Sequence, residues 1–218
     1  MRRLTVRLTD AAGAVGWPHL ALLASRWLLR QEFLVLLRDL TGDLPPLPPV
    51  PGLRWTELAE GDIDAVVALD PSLSHGEVRR RQAAGEECRL GWIGGTLACL
   101  RWDAFAPTWL PYLGLTLRLE RDDVLLGHSY TRPAFRGRGL HTAGHMEAMH
   151  RARERGRSRS ITLVAAWNRP ALRVSRDRAG GVVVGTAGIR NLLLTRRHFA
   201  TGSVSIGPDR TLHSPRGS

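Results

Sequence analysis

Tyr130-Thr131-Arg132-Pro133-Ala134-Phe135-Arg136-Gly137-Arg138-Gly139-Leu140 reads as a strand that runs into a glycine-rich turn and then opens a helix. That layout presents free backbone N–H groups to a phosphate. Leu140 to Arg157 contain no proline and supply Ala143, Glu147, Ala148, Ala152 and Glu154, which predicts a helix. Its first amides have no partner one turn earlier, and the helix dipole makes an anion their preferred acceptor. By itself Arg-Gly-Arg-Gly also suits a disordered nucleic-acid-binding tail. Its position between a strand and a helix favours the phosphate reading.

Working outward, Ile161 to Trp167 is a β-prone apolar run, and Asn168-Arg169-Pro170-Ala171 opens a short helix, Ala171 to Ala179, that stops at Gly180-Gly181. Asn168 ahead of a proline reads as a helix cap. Upstream, a strand from Leu53 to Leu58 leads to a helix at about Asp62 to Leu69, and Leu90 to Trp102 forms a hairpin around Gly94-Gly95. Leu113 to Leu119 and Val124 to Thr131 add strands, with Glu120 to Asp123 as a turn; Gly181 to Gly188 and Asn191 to Phe199 close the pattern. Pro18 starts a predicted helix that runs to about Leu40 with two apolar rows. Such a surface needs cover, either from the main domain or from a second copy in a homodimer. Leu44 to Pro51 is a stiff proline-rich linker, which divides the chain into an N-terminal helix and linker (1–52), a main domain (53–203) and a poorly ordered tail (204–218).

The length of 218 residues and the 43% hydrophobic fraction fit one domain with an appendage. Net charge is +11, and all 31 basic residues are arginine. Codon bias explains that composition, in competition with attraction to an anionic cofactor or to nucleic acid. Without lysine the chain has no side-chain amine for a Schiff base. If Gly94-Gly95 is a tight turn, Ile93 pairs with Thr96 and Leu90 with Cys99, leaving Cys88 as a diagonal neighbour of Cys99. Free thiols in a reducing cytoplasm are the expected state, because no secretory signal is seen. Leu20 to Leu40 is broken by Arg26, Arg30, Gln31, Glu32 and Arg38, so a membrane span is not expected.

The order of these elements and the Arg136 motif resemble the GNAT superfamily of acyl-CoA-dependent N-acetyltransferases over about residues 53 to 200. The family pattern of Arg or Gln, two residues, Gly, one residue, then Gly or Ala falls on Arg136, Gly137, Arg138, Gly139, Leu140 and His141, with a departure at His141. The resemblance implies a mixed α/β fold, a mostly antiparallel central sheet flanked by helices, here with the N-terminal helical extension. It implies acetyl-CoA as acyl donor, no metal, and a primary amine acceptor that attacks the thioester directly. The cofactor phosphates would rest on the amides of Arg136 to His141 with Thr142, the backbone N–H groups of Tyr130, Thr131 and Arg132 would face the thioester, and Asn168 would meet the pantetheine arm or the substrate side of the cleft. The acid that protonates the leaving thiolate would stand at Ser175, where the family usually has Tyr, and Gly181 stands where it commonly has Phe.

For the base, His128 lies near the expected catalytic level, and an ordinary pKa near ~6.5 suits proton transfer at neutral pH. Alternation puts it on the face of Tyr130 and opposite Ser129 and Thr131. A lone strand histidine is also a common structural residue, and Asp123 and Asp103 are alternatives. His141, His145 and His150 lack a companion ligand and read as ordinary helix histidines. Arg151, Arg153, Arg155, Arg157 and Arg159 read as a solvated helix end, with the cofactor's ribose phosphate as a second use. Trp102, Phe105, Trp109 and Tyr112 surround a loop that suits either an acceptor pocket or core packing. An N-acetyltransferase is the leading reading, followed by a catalytically weakened acyl-CoA-binding relative and then by a basic nucleic-acid-binding protein. The acceptor stays open.

Overall fold

The computed structural model describes residues 30–192 and 195–215. In chain order these form β1 (Arg30–Asp39), β2 (Leu53–Glu57), α1 (Ile63–Leu69), α2 (His75–Ala83), β3 (Glu86–Ile93), β4 (Thr96–Ala104), β5 (Thr108–Leu110) and β6 (Leu115–Leu117). There follow β7 (Asp123–Thr131), α3 (Leu140–Glu154), β8 (Arg159–Ala165), α4 (Arg169–Leu172), β9 (Val182–Leu192), β10 (Thr195–Gly202), β11 (Ser205–Ile206) and β12 (Thr211–His213). Eight strands make one sheet in the order β10-β9-β1-β8-β7-β4-β3-β2, and four make a second in the order β11-β12-β6-β5. In the large sheet only β7 and β8 run parallel. The mixed, mostly antiparallel sheet with flanking helices is thus as expected. No helix among the described residues is long and apolar enough to cross a membrane.

The N-terminal helix needs correction. Residues 30–39 are a strand, seated between β8 and β9 in the middle of the large sheet; residues 18–29 lie outside the described residues. Phe33 to Leu37 is an unbroken apolar run, and periodicity alone does not separate a buried strand from a buried helix. Two open strand edges decide the matter, and Val35 and Leu36 are buried on opposite faces. For this segment, neighbouring strands supply the cover for which a second copy was one option. Residue 52 is therefore not an architectural boundary. The proline-rich segment is a strap laid over α3, held by His150 Nε2 on Pro45 O at 2.8 Å and by half-buried Leu44 packed against the core.

The tail needs correction as well. Val204 and Leu212 are buried, β11 and β12 extend the small sheet, and Arg159 Nη1 donates to Pro215 O at 2.6 Å. A turn at Gly207 to Thr211, with Asp209 accepting from Thr211 N–H and Oγ1, folds this short stretch back.

The β3–β4 hairpin turns on Gly94 and Gly95, both at positive φ (55° and 76°), a conformation glycine adopts without Cβ strain. Ile93 faces Thr96 as expected, but a bulge after Gly91 moves the register by one, so Leu90 faces Leu100 and Gly91 faces Cys99. Cys88 packs with α1 and α2 while Cys99 packs near the start of α3, and both thiols are free. Burial raises the Cys99 pKa to about 12, so it is not a ready nucleophile.

One face of the large sheet is covered by α3, through Val124, Leu126, Met146, Met149 and Ala152. The other is covered by α1 and α2 over Leu90, Leu100 and Trp102, and by the small sheet over Val35, Leu125, Ile161 and Ile189. Close strand contact fixes the glycines of β9. A Cβ on Gly188 would stand 2.2 Å from Gln31 O and 2.5 Å from the Phe199 ring. Gly188→Ala is expected to destabilise the fold by about 1–3 kcal/mol, read as a lower urea midpoint with an unchanged slope.

Candidate active site

Strands β7 and β8 pair only at Asp123–Arg159, Val124–Ser160 and Leu125–Ile161. Beyond Leu125 they separate, leaving a V between the remainder of β7 and that of β8. A bulge in β7 contributes: the register with β4 shifts between Arg101 and Asp103, so Gly127 and His128 together face Trp102. Residue 127 must be small, since a Cβ there would lie 2.7 Å from Trp102 O.

At the open end of the V, Gly137 (φ 79°) and Gly139 (φ 80°) turn the chain into α3. The first intrahelical bond runs from Ala143 N–H to Gly139 O at 2.9 Å, so the amides of Leu140, His141 and Thr142 precede the helical ladder. No acidic residue occupies the first turn, and Gly137, Arg138 and Gly139 are exposed. These features fit an anion at the helix start.

The His141 side chain leaves the start of α3 open. It turns beneath the helix and, with Arg101, Ser129, Thr131 and Gly144, lines a space of about 10 Å³. Burial, followed by the charge of Arg101, lowers its pKa to about 4, and the same causes push His145 well below its ordinary value. For a histidine this sign means that the unfolded chain binds more protons than the folded one below the ordinary value near ~6.5. Stability is complete above that pH and is lost as pH falls from ~6.5 toward about 4. The melting temperature should drop between pH 7 and pH 5, and His145→Gln should flatten the drop in thermal unfolding followed by circular dichroism.

Strand register corrects the backbone donors. Arg132 N–H donates to Ala98 O of β4 at 2.8 Å, and its Nε donates to Leu97 O at 3.0 Å, so Arg132 is spent on β4. Alternation along the ladder turns the N–H of Tyr130 the same way and those of Thr131 and Ser129 toward the V. Of the three expected donors only Thr131 faces the cleft, joined by Ser129. Arg136 Nε reaches Thr131 O at 3.3 Å, with its guanidinium 5.9 Å from the Tyr130 ring centroid.

Across the V, Asn168 Oδ1 accepts from Ala171 N–H at 3.3 Å and caps α4. A π-helical turn, Arg173–Arg178, follows. Ser175 within it is 3% exposed and lines neither the space under α3 nor the cavity beside His128. Its carbonyl accepts from Gly181 N–H at 3.0 Å, and a Cβ at residue 181 would come within 2.6 Å of that oxygen, which accounts for glycine there. The same turn carries a residue that sequence reading missed. Arg178 Nη1 donates to Thr142 Oγ1 at 3.1 Å, placing a cation at the start of α3.

On the sheet face opposite α3, His128 Nε2 lies 2.5 Å from Asp70 Oδ2, 58 positions away in sequence. Asp70 is 1% exposed, and its Oδ1 also accepts from Ser72 N–H and Oγ. Burial works to raise the Asp70 pKa, but the His128 and Ser72 hydrogen bonds and the His128 charge outweigh it and hold the carboxyl below its usual value. The alternative bases are occupied: Asp123 pairs with Arg159 at 2.6 Å, and Asp103 with Arg101 at 2.8 Å and Arg151 at 3.3 Å. Arg151 and Arg155 also bind Glu87, so Arg151, Arg155 and Arg159 are all engaged in ion pairs that hold the fold. Among the described residues no three His, Cys, Asp or Glu side chains come together as a metal site.

Neither a protein-family model nor a curated protein matches the chain. Solved structures do. A GCN5-related N-acetyltransferase from Sphaerobacter thermophilus is 18% identical with a TM-score of 0.57, the match covering 84% of this chain and 57% of that one. A protein described as a GNAT-family acetyltransferase from Novosphingobium aromaticivorans is 19% identical (TM-score 0.52, 72% and 61% covered). A GCN5-related N-acetyltransferase from Kribbella flavida is 17% identical (TM-score 0.51, 78% and 62% covered). This chain thus spans about three-fifths of the length of the structures it matches.

Proposed function

We propose that this chain, which has the fold of the GCN5-related N-acetyltransferases, transfers an acetyl or short acyl group from acetyl-CoA to a primary amine. The observation that carries the reading is the V between β7 and β8 with the acid-free start of α3 at its mouth. The amides from Arg136 to Thr142 would hold the pyrophosphate, with Arg178 as an added cation. Ser129 and Thr131 N–H groups would polarise the acyl carbonyl, where preorganised donors act on developing negative charge. Bound acetyl-CoA supplies a thioester whose carbonyl carbon takes the amine's lone pair as the C–S bond breaks and its electrons leave on sulfur.

His128 takes the proton that the arriving ammonium must lose. The nitrogen's second proton, released as the amide forms, matches the one the thiolate acquires, and His128 returns its own to solvent. Ser175 is too enclosed to serve as the acid, which favours, as second reading, an acyl-CoA-binding relative with weakened turnover. With two buried free thiols, a cytoplasmic setting fits best. The test is titration with acetyl-CoA by calorimetry, then a thiol-release screen of primary amines. Binding with release supports transfer, binding alone supports the second reading, and neither would return attention to nucleic acid and the +11 charge.

A further inference from the structure

We propose that Asp70 is the positioning residue for a base at His128, and that the amine reaches that base through a cavity between Trp109 and Tyr112 on the sheet face opposite α3. This rests on the acetyltransferase reading above. Asp70 ends α1, where its N–H donates to Val66 O at 3.0 Å. Ser72 occupies Oδ1 from two directions, leaving Oδ2 for the imidazole. Although all 31 basic residues are arginine, among the described residues the only ion-pair partner shown for this buried carboxylate is His128.

A buried carboxylate without a cation is costly. The pair carries one negative charge while the imidazole is neutral, which draws an ammonium toward His128. Accepting from Nε2–H, Asp70 also fixes the tautomer and leaves the lone pair on Nδ1.

The cavity, of about 30 Å³, brings His128 together with Gly127, Trp102, Trp109 and Tyr112. Trp109 and Tyr112 are 44% and 38% exposed and form its mouth. The other charged groups around it are already paired. Arg81 of α2 faces Glu86 of β3 at 3.6 Å, Thr108 Oγ1 donates to Glu86 at 2.8 Å, and Asp103 of β4 turns to Arg101 and Arg151. The Asp70–His128 pair is therefore the charge left for an incoming ammonium. The bulge at Gly127–His128 brings this pair to the level where β7 leaves β8.

The experiment uses the full chain, acetyl-CoA and phenethylamine, whose ring matches the aromatic mouth. Asp70→Asn should lower kcat by about 100-fold or more, with acetyl-CoA affinity held within about threefold. Imidazole nitrogen NMR, with His128 assigned by its loss in His128→Gln, should show N–H on Nε2 in wild type and a tautomer mixture in Asp70→Asn. Trp109→Ala, at an exposed position that does not threaten folding, should raise KM for phenethylamine about tenfold with little change in kcat. An Asp70→Asn protein that folds and keeps its kcat, or a wild-type N–H on Nδ1, overturns the positioning role; an unchanged KM in Trp109→Ala overturns the entry route. A wild type that binds acetyl-CoA yet acetylates no amine sinks the reaction reading itself, while the tautomer still decides what Asp70 does to His128.

Discussion

Gly139→Glu is expected to abolish measurable acetyl-CoA binding. Gly139 sits at φ 80° immediately before α3, beside the amides proposed for the pyrophosphate. Glutamate there adds two penalties. A left-handed conformation costs a residue with a Cβ roughly 1–2 kcal/mol. A carboxylate about 4 Å from a phosphate charge is repelled by roughly 4 kcal/mol at an effective dielectric near 20. Together these predict a loss of well over ~100-fold in affinity. Gly139→Asn separates the two, since asparagine tolerates the left-handed region and brings no charge; it should retain binding within about tenfold. Calorimetric titration of the three proteins is the check. Glutamate binding as tightly as glycine would mean that the phosphates lie elsewhere.

His128→Gln should leave acetyl-CoA affinity intact and cut amine acetylation by about 10²–10⁴-fold, the range removed with a general base. Glutamine keeps a polar side chain against Asp70 but cannot accept the ammonium proton at neutral pH. Residual activity should then climb with pH as the amine deprotonates in solution, and a wild-type rate that ignores pH between 6 and 9 would argue against this base. Equal loss of binding and turnover would instead point to a collapsed site, because His128 lines the cavity at Trp109 and Tyr112 and not the turn at Gly137 and Gly139.

Much of the turn into α3 was legible in the sequence. Gly137, Gly139 and the proline-free run after Leu140 carry their meaning locally, and the structure shows the turn, the helix start and the hairpin at Gly94-Gly95 where spacing put them. Gly127 ahead of His128 was a readable hint of a bulge, since an isolated glycine in a strand often marks one. Arg178 offered less, being one of several arginines near a helix end. Asp70 offered no signal, because nothing in a Leu-Asp-Pro-Ser stretch announces a partner 58 residues away.

The sequence by itself determined the glycine turn at Gly137 and Gly139, the helix behind it and the hairpin at Gly94-Gly95, because each depends on backbone preferences within a few residues. Only the tertiary structure decided that residues 30–39 are a central strand, that Arg132 turns to β4, and that His128 meets Asp70. An apolar run takes whichever conformation its neighbours can hydrogen-bond and bury. A one-residue bulge reverses the faces of every side chain beyond it, and neither effect can be read from the segment alone.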